Sequence, residues 1–291
     1  MYEASCNYGY LYDELSKIAR RVVVAHPAQL RLIFRAKRKN DRADAAKLAK
    51  LLLLDLVPTV HVPSLRVRAW RGMIEHRNRQ VDERTRIKNA LRALLRGRGI
   101  EVPRSLWSRA GRAWLRAVPF SEEFDAIRRD DLVARLELAN ASIKRVETAL
   151  NALGRAHPGV VLLMTIDGVG IRTAEAVVAY VDDPARFQRT KGAGSYFGLV
   201  PCQDQSAAAN RLGHITREGP SLVRKLLTEA TWQGIRHSPE IQAYFERVRG
   251  GDEDRKKIAL VATAHHLLRV MLAMLRNNEP WRGSAKNPKV A

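Results

Sequence analysis

The chain has 291 residues, and its 51 lysines and arginines against 30 aspartates and glutamates give a formal charge of +21. An apolar content of 46% is enough for a folded core and excludes a wholly disordered basic tail. This excess of positive charge predicts a polyanionic partner, with nucleic acid ahead of an anionic membrane. Two distant cysteines, Cys6 and Cys202, exclude a disulfide framework and a cysteine zinc site.

The sequence carries no pattern typical of secretion or membrane insertion. Uninterrupted apolar runs such as residues 51–54 and 160–164 are far shorter than the roughly 20 residues of a spanning helix. Residues 1–5 lack the basic and then apolar layout of a signal peptide. We therefore expect a cytoplasmic protein without a membrane partner.

The first 62 residues combine strand-like and helical pieces. The β-branched run 22–25, which ends at His26 and Pro27, predicts a buried strand closing into a loop. Residues 41–56 predict a helix, because Ala45, Leu48, Ala49 and Leu52 recur at three- and four-residue spacing. Strand, loop and helix in this order predict an α/β unit with a parallel sheet.

Two acidic residues stand at the start of that predicted helix. Asp41 and Asp44 are three residues apart and therefore share one face, where they could bind a divalent metal. Acidic residues are also favoured in any first helical turn by the helix dipole. The spacing alone favours this second explanation.

The middle of the chain is basic and helical. Residues 66–116 contain fifteen arginines and lysines but four acidic residues. A heptad stripe follows, formed by Leu132, Leu136, Ala139, Ile143, Val146, Leu150 and Leu153. Together with Ile87, Leu91 and Leu94 it predicts an antiparallel helical pair or a dimer stalk. An ordinary amphipathic helix packed on its own domain is the alternative.

A glycine turn occurs at residues 165–170, before a predicted helix over Ile171–Val181. The pattern predicts a helix-hairpin-helix in which Gly168 and Gly170 let the backbone approach a DNA phosphate. The alternative is a purely structural turn between packed helices. The charge of +21 favours phosphate contact.

A polar segment near residue 206 contains a candidate nucleophile. Ser206 is followed by Arg211, His214 and Arg217, whose charges could stabilise the phosphate while the serine hydroxyl attacks a phosphodiester. Most loop serines have no such role, so the segment by itself is a weak indication.

Six segments match, in the same order, the motifs of one protein family. They are residues 3–9, 26–27, 39–45, 166–170, 195–201 and 213–219, the last followed by Leu222 and Arg224. On these motifs the chain resembles the DEDD-type insertion-sequence transposases of the one-ten class, which are related to the Piv DNA invertases. The similarity extends over nearly the whole chain.

This resemblance implies a mixed α/β and mainly α fold in three parts. Residues 1–62 would form an incomplete RuvC-like, RNase-H-type α/β domain. Residues 63–157 would form a basic helical stalk resembling a coiled coil. Residues 158–291 would form the C-terminal transposase domain, including the helix-hairpin-helix.

The resemblance also implies a DNA transposase that cleaves and rejoins strands. Mg²⁺ would be held by Glu3, Asp41 and Asp44, and Ser206 would be the nucleophile. The implied DNA contacts are Gly168, Gly170, Arg211, Arg217 and Arg224. The implied partners are DNA, a structured RNA encoded by the element, and further copies of the chain in a dimer or tetramer.

Two departures from the family pattern affect this expectation. The family's acidic tetrad begins with an aspartate well upstream of the glutamate, whereas Glu3 lies almost at the start of this sequence. We therefore expect a transposase shortened at its N-terminus, or alternatively a catalytically impaired remnant that still binds nucleic acid. Residues 207–209 are alanines where the family usually has glycine, which restricts the backbone after Ser206.

Overall fold

A computed structural model of the chain describes residues 1–33, 41–206 and 209–283. The described residues are mainly helical, as predicted for most of the chain, and their strands form two small two-stranded sheets. The chain divides into two compact units, Met1–Ala69 and Trp70–Ala291.

The first unit begins with a strand, a helix and a second, parallel strand. Its elements are β1 (Tyr2–Glu3), α1 (Tyr8–Leu15), β2 (Val24–Ala25), α2 (Pro27–Ile33) and α3 (Asp41–Leu53). In the sheet, Tyr2 lies opposite Val24 and Glu3 opposite Ala25. An antiparallel bridge from Ala25 to Thr59 extends this sheet by a short third segment. The predicted parallel sheet is therefore confirmed, but only Val24 and Ala25 of the predicted run 22–25 form the strand, and Pro27 begins a helix where a loop was predicted.

Helix α3 differs in two respects from the sequence prediction. It ends at Leu53 instead of residue 56, because Asp55 has a left-handed backbone with φ of 53° that terminates the helix. Its inward face is formed by Leu48 and Leu51, which pack with Ala25 and Leu30 in the small core of this unit. The predicted inward alanines of α3, at 45 and 49, are exposed.

An arginine ties α1 to the start of the long helix α4 (Leu65–Gly97). The Arg68 side chain lies against Gly9 of α1, where an added Cβ would come within 2.8 Å of the Arg68 Cδ. Its Nη1 donates to the Pro63 carbonyl at 2.6 Å, and its Nη2 donates to the Asp13 carboxylate. Glycine at position 9 therefore makes room for a tethered side chain.

The second unit contains most of the helices. After α4 come α5 (Arg109–Ala117), α6 (Glu123–Ala156), α7 (Pro158–Leu163), α8 (Ile171–Val181), α9 (Thr190–Tyr196), β3 (Pro201–Ser206), β4 (Ala209–Ile215), α10 (Ser221–His237), α11 (Pro239–Arg249) and α12 (Lys256–Asn277). The bounds of α8 agree with the prediction.

Helices α4 and α6 run antiparallel and are joined by ion pairs at several levels. Arg77 of α4 donates to Glu147 of α6, and Arg135 of α6 donates to Glu83 of α4 at 2.9 Å. A third pair joins Arg98, just after α4, to Asp125. Between these levels lies a shared core formed by Ile87, Leu91, Leu95, Leu106, Leu115, Leu132, Leu136 and Ala139. The heptad stripe thus marks a buried seam.

The main core of this unit is built around α8 and α12. All residues of α8 from Thr173 to Val181 are buried. Helix α12 packs against α9, α10 and α11. By length and composition α12 could cross a membrane, although half of its apolar stretch is buried inside the protein. Its uninterrupted apolar runs are short, because Thr263, two histidines and Arg269 separate them, so run length alone did not indicate this helix.

Candidate functional site

The candidate nucleophile Ser206 ends a strand of a two-stranded hairpin. Strands β3 and β4 pair antiparallel, with Asp204 opposite Arg211 and Ser206 opposite Ala209. The Ser206 backbone therefore lies next to the hairpin tip and is not in an irregular loop. Its side chain and residues 207–208 lie outside the described part of the chain.

The base of this hairpin is closed by two glycines that pack backbone against backbone. Gly198 and Gly219 each have φ of 64°, a left-handed conformation that favours glycine. A Cβ at Gly198 would lie 2.4 Å from the Glu218 nitrogen, and one at Gly219 would lie 2.0 Å from the Tyr196 oxygen. The motifs 195–201 and 213–219, distant in sequence, thus meet at one place. We call residues 196–200 with 216–219 the hairpin base.

Hydrogen bonds from a predicted DNA contact hold the hairpin base together. The Nη1 of Arg224 donates to the carbonyls of Phe197 and Gly219, each at 3.2 Å, and to that of Glu218. Burial, and secondly the charge of Arg217, lowers the pKa of Arg224. The described role of Arg224 is structural, and its contact with DNA stays a prediction.

The other two predicted arginines are exposed. Arg211 lies on β4, and Arg217 lies in the hairpin base with φ of 58°, which is uncommon for a residue with a side chain. Both guanidinium groups belong to the segment that carries Ser206. They are therefore available for a phosphate contact, which stays a prediction.

The two glycines of the turn between α7 and α8 have different surroundings. Gly168 has φ of 89°, and a Cβ there would lie 2.4 Å from the Gly234 nitrogen of α10. Gly170 precedes the first residue of α8, is exposed, and has open space where a Cβ would be. Gly168 thus packs on α10, as the structural alternative for this turn requires. Phosphate contact at Gly168 and at Gly170 stays a prediction.

The candidate metal ligands belong to the first unit. Glu3 is exposed on β1. In the first turn of α3, the Asp44 carboxylate accepts a hydrogen bond from the Lys47 ammonium at 3.1 Å. The Asp41 side chain lies outside the described part. Among the side chains that are described, no three of the metal-ligating types are grouped.

The candidate carboxylates fit Mg²⁺ in chemical type but not in their described positions. Carboxylate oxygen is the ligand type that Mg²⁺ prefers. The described geometry, however, pairs Asp44 with a cation and leaves Glu3 outside any group of ligands. The described residues alone therefore do not form a magnesium site, and we derive no chemical step through a metal.

A buried acid on α8 was missed in the sequence. Glu175 is 1% exposed, and its Oε1 accepts a hydrogen bond from the Arg172 Nη1 at 2.7 Å. Its Oε2 has no described hydrogen-bond partner. Burial raises the pKa of Glu175 to about 7, although Arg172 and Arg77 act to lower it. The signal in the sequence was an otherwise uncharged helix with a single Arg–Glu pair three residues apart.

Comparison with protein families gives two matches. Residues 2–99 match a family described as a DEDD transposase of the IS110 type, and residues 160–246 match the transposase IS116/IS110/IS902 family. The first match includes the first unit from its second residue and all of α4. The second match includes the glycine turn, the hairpin and its base.

Individual relatives extend this similarity along the chain. A probable family 20 transposase of Pseudomonas aeruginosa is 25% identical over 96% of this chain and 84% of its own length. The transposase for insertion sequence element IS1111A of Coxiella burnetii is 27% identical over 85% of this chain and 69% of its own. The pilin gene-inverting protein of Moraxella lacunata is 29% identical over 41% of this chain and 38% of its own. Because both transposase domains match and a transposase relative aligns over 96% of the chain, the chain belongs to the IS110/IS116 family of transposases.

Proposed function

We propose that this transposase cleaves and rejoins DNA strands to move an insertion sequence, with Ser206 as the nucleophile. The observation that supports the proposal is the position of Ser206 at the end of β3, beside the tip of a hairpin with a closed base. A rigid base limits the motion of the strand that carries the serine, and a nucleophile needs a fixed orientation.

The proposed reaction has two balanced steps. In the first, the Ser206 hydroxyl oxygen attacks the phosphorus of a phosphodiester, and the bond from phosphorus to one sugar oxygen breaks. The serine proton is lost, and the leaving sugar oxygen gains a proton. In the second, a sugar hydroxyl of another strand attacks the phosphoserine, which restores a phosphodiester and the free serine.

Basic groups near the serine would stabilise the charge of the transition state. Arg211 and Arg217 are exposed on the same segment and carry this role in the proposal. Gly170 would let a DNA phosphate approach the exposed N-terminus of α8. Arg224 would act by holding the hairpin base, since its guanidinium is engaged by backbone carbonyls.

Several further features belong to the same proposal. Glu3, Asp41 and Asp44 are retained as candidate Mg²⁺ ligands because of their chemical type. We retain the division into three parts: a RuvC-like part at residues 1–62, a stalk at 63–157, and a transposase part with a helix-hairpin-helix at 158–291. We also propose that the chain binds a structured RNA, assembles as a dimer or tetramer, and is located in the cytoplasm.

The test is a covalent-adduct assay with labelled donor DNA that contains an end of the element. We expect a DNA–protein adduct that survives denaturation with the unmodified chain and not with Ser206→Ala. Ser221→Ala, which changes an exposed serine at the start of α10, serves as the matched control and should form the adduct. Adduct formation by Ser206→Ala would overturn the assignment of the nucleophile.

The alternative function has its own outcome in this assay. DNA binding without adduct in the presence or absence of Mg²⁺ would identify a nucleic-acid-binding protein that does not transfer strands. Joined product that needs Mg²⁺ and is lost in Asp44→Asn would support the proposed metal ligands.

A further inference from the structure

One face of α4 carries a row of cations spaced four residues apart. Arg84, Lys88, Arg92 and Arg96 form this basic row. A four-residue spacing places them on one side of the helix, over a length of about 18 Å. Among the described residues, none of the four has an ion pair with a carboxylate.

Other arginines of the same helix are engaged elsewhere. The Arg71 Nε donates to the Ala179 carbonyl at 2.8 Å, and Arg77 is paired with Glu147. Arg86 is paired with Glu83. Arg71, Arg77 and Arg86 are therefore engaged by carbonyl or carboxylate groups, whereas the four cations of the basic row have no carboxylate partner among the described residues.

The basic row is partly desolvated by an aromatic ring. The Lys88 ammonium and the Arg92 guanidinium lie over the Trp107 ring, 4.9 and 5.3 Å from its centre. Burial and the nearby charges of Arg84, Arg92 and Arg112 lower the pKa of Lys88. Like charges held so close repel one another, and a bound polyanion would relieve this repulsion.

A cleft opens beside one end of the basic row. It has a volume of about 490 Å³ and is lined by Asn89, Arg92, Ala93, Arg96, Val102, Pro103 and Arg104. Three guanidinium groups and one amide meet there, and no carboxylate contributes to the lining. Guanidinium groups suit phosphate because they can donate two parallel hydrogen bonds.

We propose that the basic row and its cleft bind the phosphodiester backbone of a nucleic acid. A row about 18 Å long would face about five phosphates of one strand of a duplex, which fits an extended polyanion better than a single small anion. This inference rests on the proposed function, since the bound strand would belong to the DNA or to the structured RNA of that function. The site is separate in sequence from Ser206, the glycine turn and the acidic residues.

The test compares two triple variants with the same change of charge. One replaces Arg92, Arg96 and Arg104 by glutamine, and the control replaces the ion-paired, exposed Arg86, Arg116 and Arg135 by glutamine. Both are made in the full chain with Ser206→Ala, so that binding is measured without strand transfer. Fluorescence anisotropy with a labelled duplex DNA and with a labelled hairpin RNA is recorded over a range of salt concentrations.

We expect the first variant, and not the control, to weaken binding. For duplex DNA the slope of log affinity against log salt should decrease by about 2.7, because each lost phosphate contact contributes about 0.9. If the variant binds only the DNA more weakly, or only the RNA more weakly, that nucleic acid is the one bound at this site. If it binds both more weakly, the site accepts either nucleic acid. Equal slopes for variant and control with both probes would overturn the proposal.

This outcome is independent of the reaction. If the variant at Arg92, Arg96 and Arg104 loses binding while the otherwise unmodified chain forms no serine adduct, the binding site is supported and the proposed serine chemistry is refuted. If the adduct forms and the two triple variants bind alike, the serine chemistry is supported and the binding site is refuted.

Discussion

Gly168 in the turn before α8 lies against Gly234 of α10, so closely that a Cβ at position 168 would come within 2.4 Å of the Gly234 nitrogen. The two backbones touch without any side chain between them. The turn is thereby packed directly on α10. The neighbouring Gly170 has no such constraint.

The two glycines of this turn should therefore respond differently to alanine. Gly168→Ala introduces both an unfavourable positive φ and a backbone overlap, and we expect a loss of about 3 kcal/mol in the free energy of unfolding. Gly170→Ala should leave stability nearly unchanged and weaken binding of duplex DNA. Urea unfolding and anisotropy measure the two effects. Equal destabilisation by both changes would contradict this assignment.

The buried Glu175 should make stability depend on pH. Below its ordinary pKa of 4.5 the carboxyl is protonated in both the folded and the unfolded chain. Between 4.5 and about 7 the unfolded chain releases the proton while the folded protein keeps it. The free energy of unfolding should therefore fall by up to about 3 kcal/mol as pH rises through this range.

Glu175→Gln isolates this contribution from that of other titrating groups. The glutamine stays neutral, so the stability difference between the original chain and this variant should grow from pH 4 to pH 8, in favour of the variant. Glu229→Gln, which changes an exposed acid on α10, is the control and should follow the original chain. Parallel pH profiles for the Glu175 variant and the original chain would refute the prediction.

Local patterns in the sequence predicted α8 with its bounds and a parallel sheet that includes Val24 and Ala25, because these elements are determined mainly by their own apolar residues. The inward face of α3 could not be predicted in the same way. Its Ala45 and Ala49 fit the helical period, yet the small core selects Leu48 and Leu51. A helix with apolar residues around much of its circumference leaves the choice of face to tertiary packing.

The hairpin base should depend on the guanidinium of Arg224. Arg224→Lys keeps the charge but cannot reach the carbonyls of Phe197, Glu218 and Gly219 together. We expect hydrogen exchange at the Thr216 amide, which donates to the Val200 carbonyl at 2.9 Å, to become about tenfold faster.

Arg211→Lys on the exposed face of β4 is the control for that measurement and should leave exchange at Thr216 unchanged. An unchanged exchange rate in Arg224→Lys would show that the two glycines alone hold the base. The same variant should also form less of the serine adduct if the base orients β3.

The contact between Gly9 and Arg68 predicts opposite effects of alanine at two glycines. Gly9→Ala should destabilise the protein by about 1 kcal/mol, because the Arg68 side chain is tethered and cannot easily withdraw. Gly72→Ala, within α4 and with open space at the Cβ position, should stabilise it by about 0.5–1 kcal/mol. Thermal unfolding compares the two, and stabilisation by both would contradict the described contact.

The candidate site was only partly predictable for a related reason. Sequence motifs indicated Ser206 and the glycines, because their residue types and order are specific. They did not indicate that Arg224 is engaged by backbone carbonyls or that Gly168 packs on α10, since both facts depend on segments distant in sequence. The charge of Glu175 likewise depends on its burial, which no local pattern determines.

The position of α12 limits how this protein can be dissected. The helix follows every other described element in the chain, yet its side chains fill the space between α9, α10 and α11. A shortened chain that stops before Lys256 would leave those three helices with uncovered apolar faces, and such faces promote aggregation. Fragments meant to isolate the Ser206 hairpin should therefore be cut at their N-terminal side and extend through Asn277.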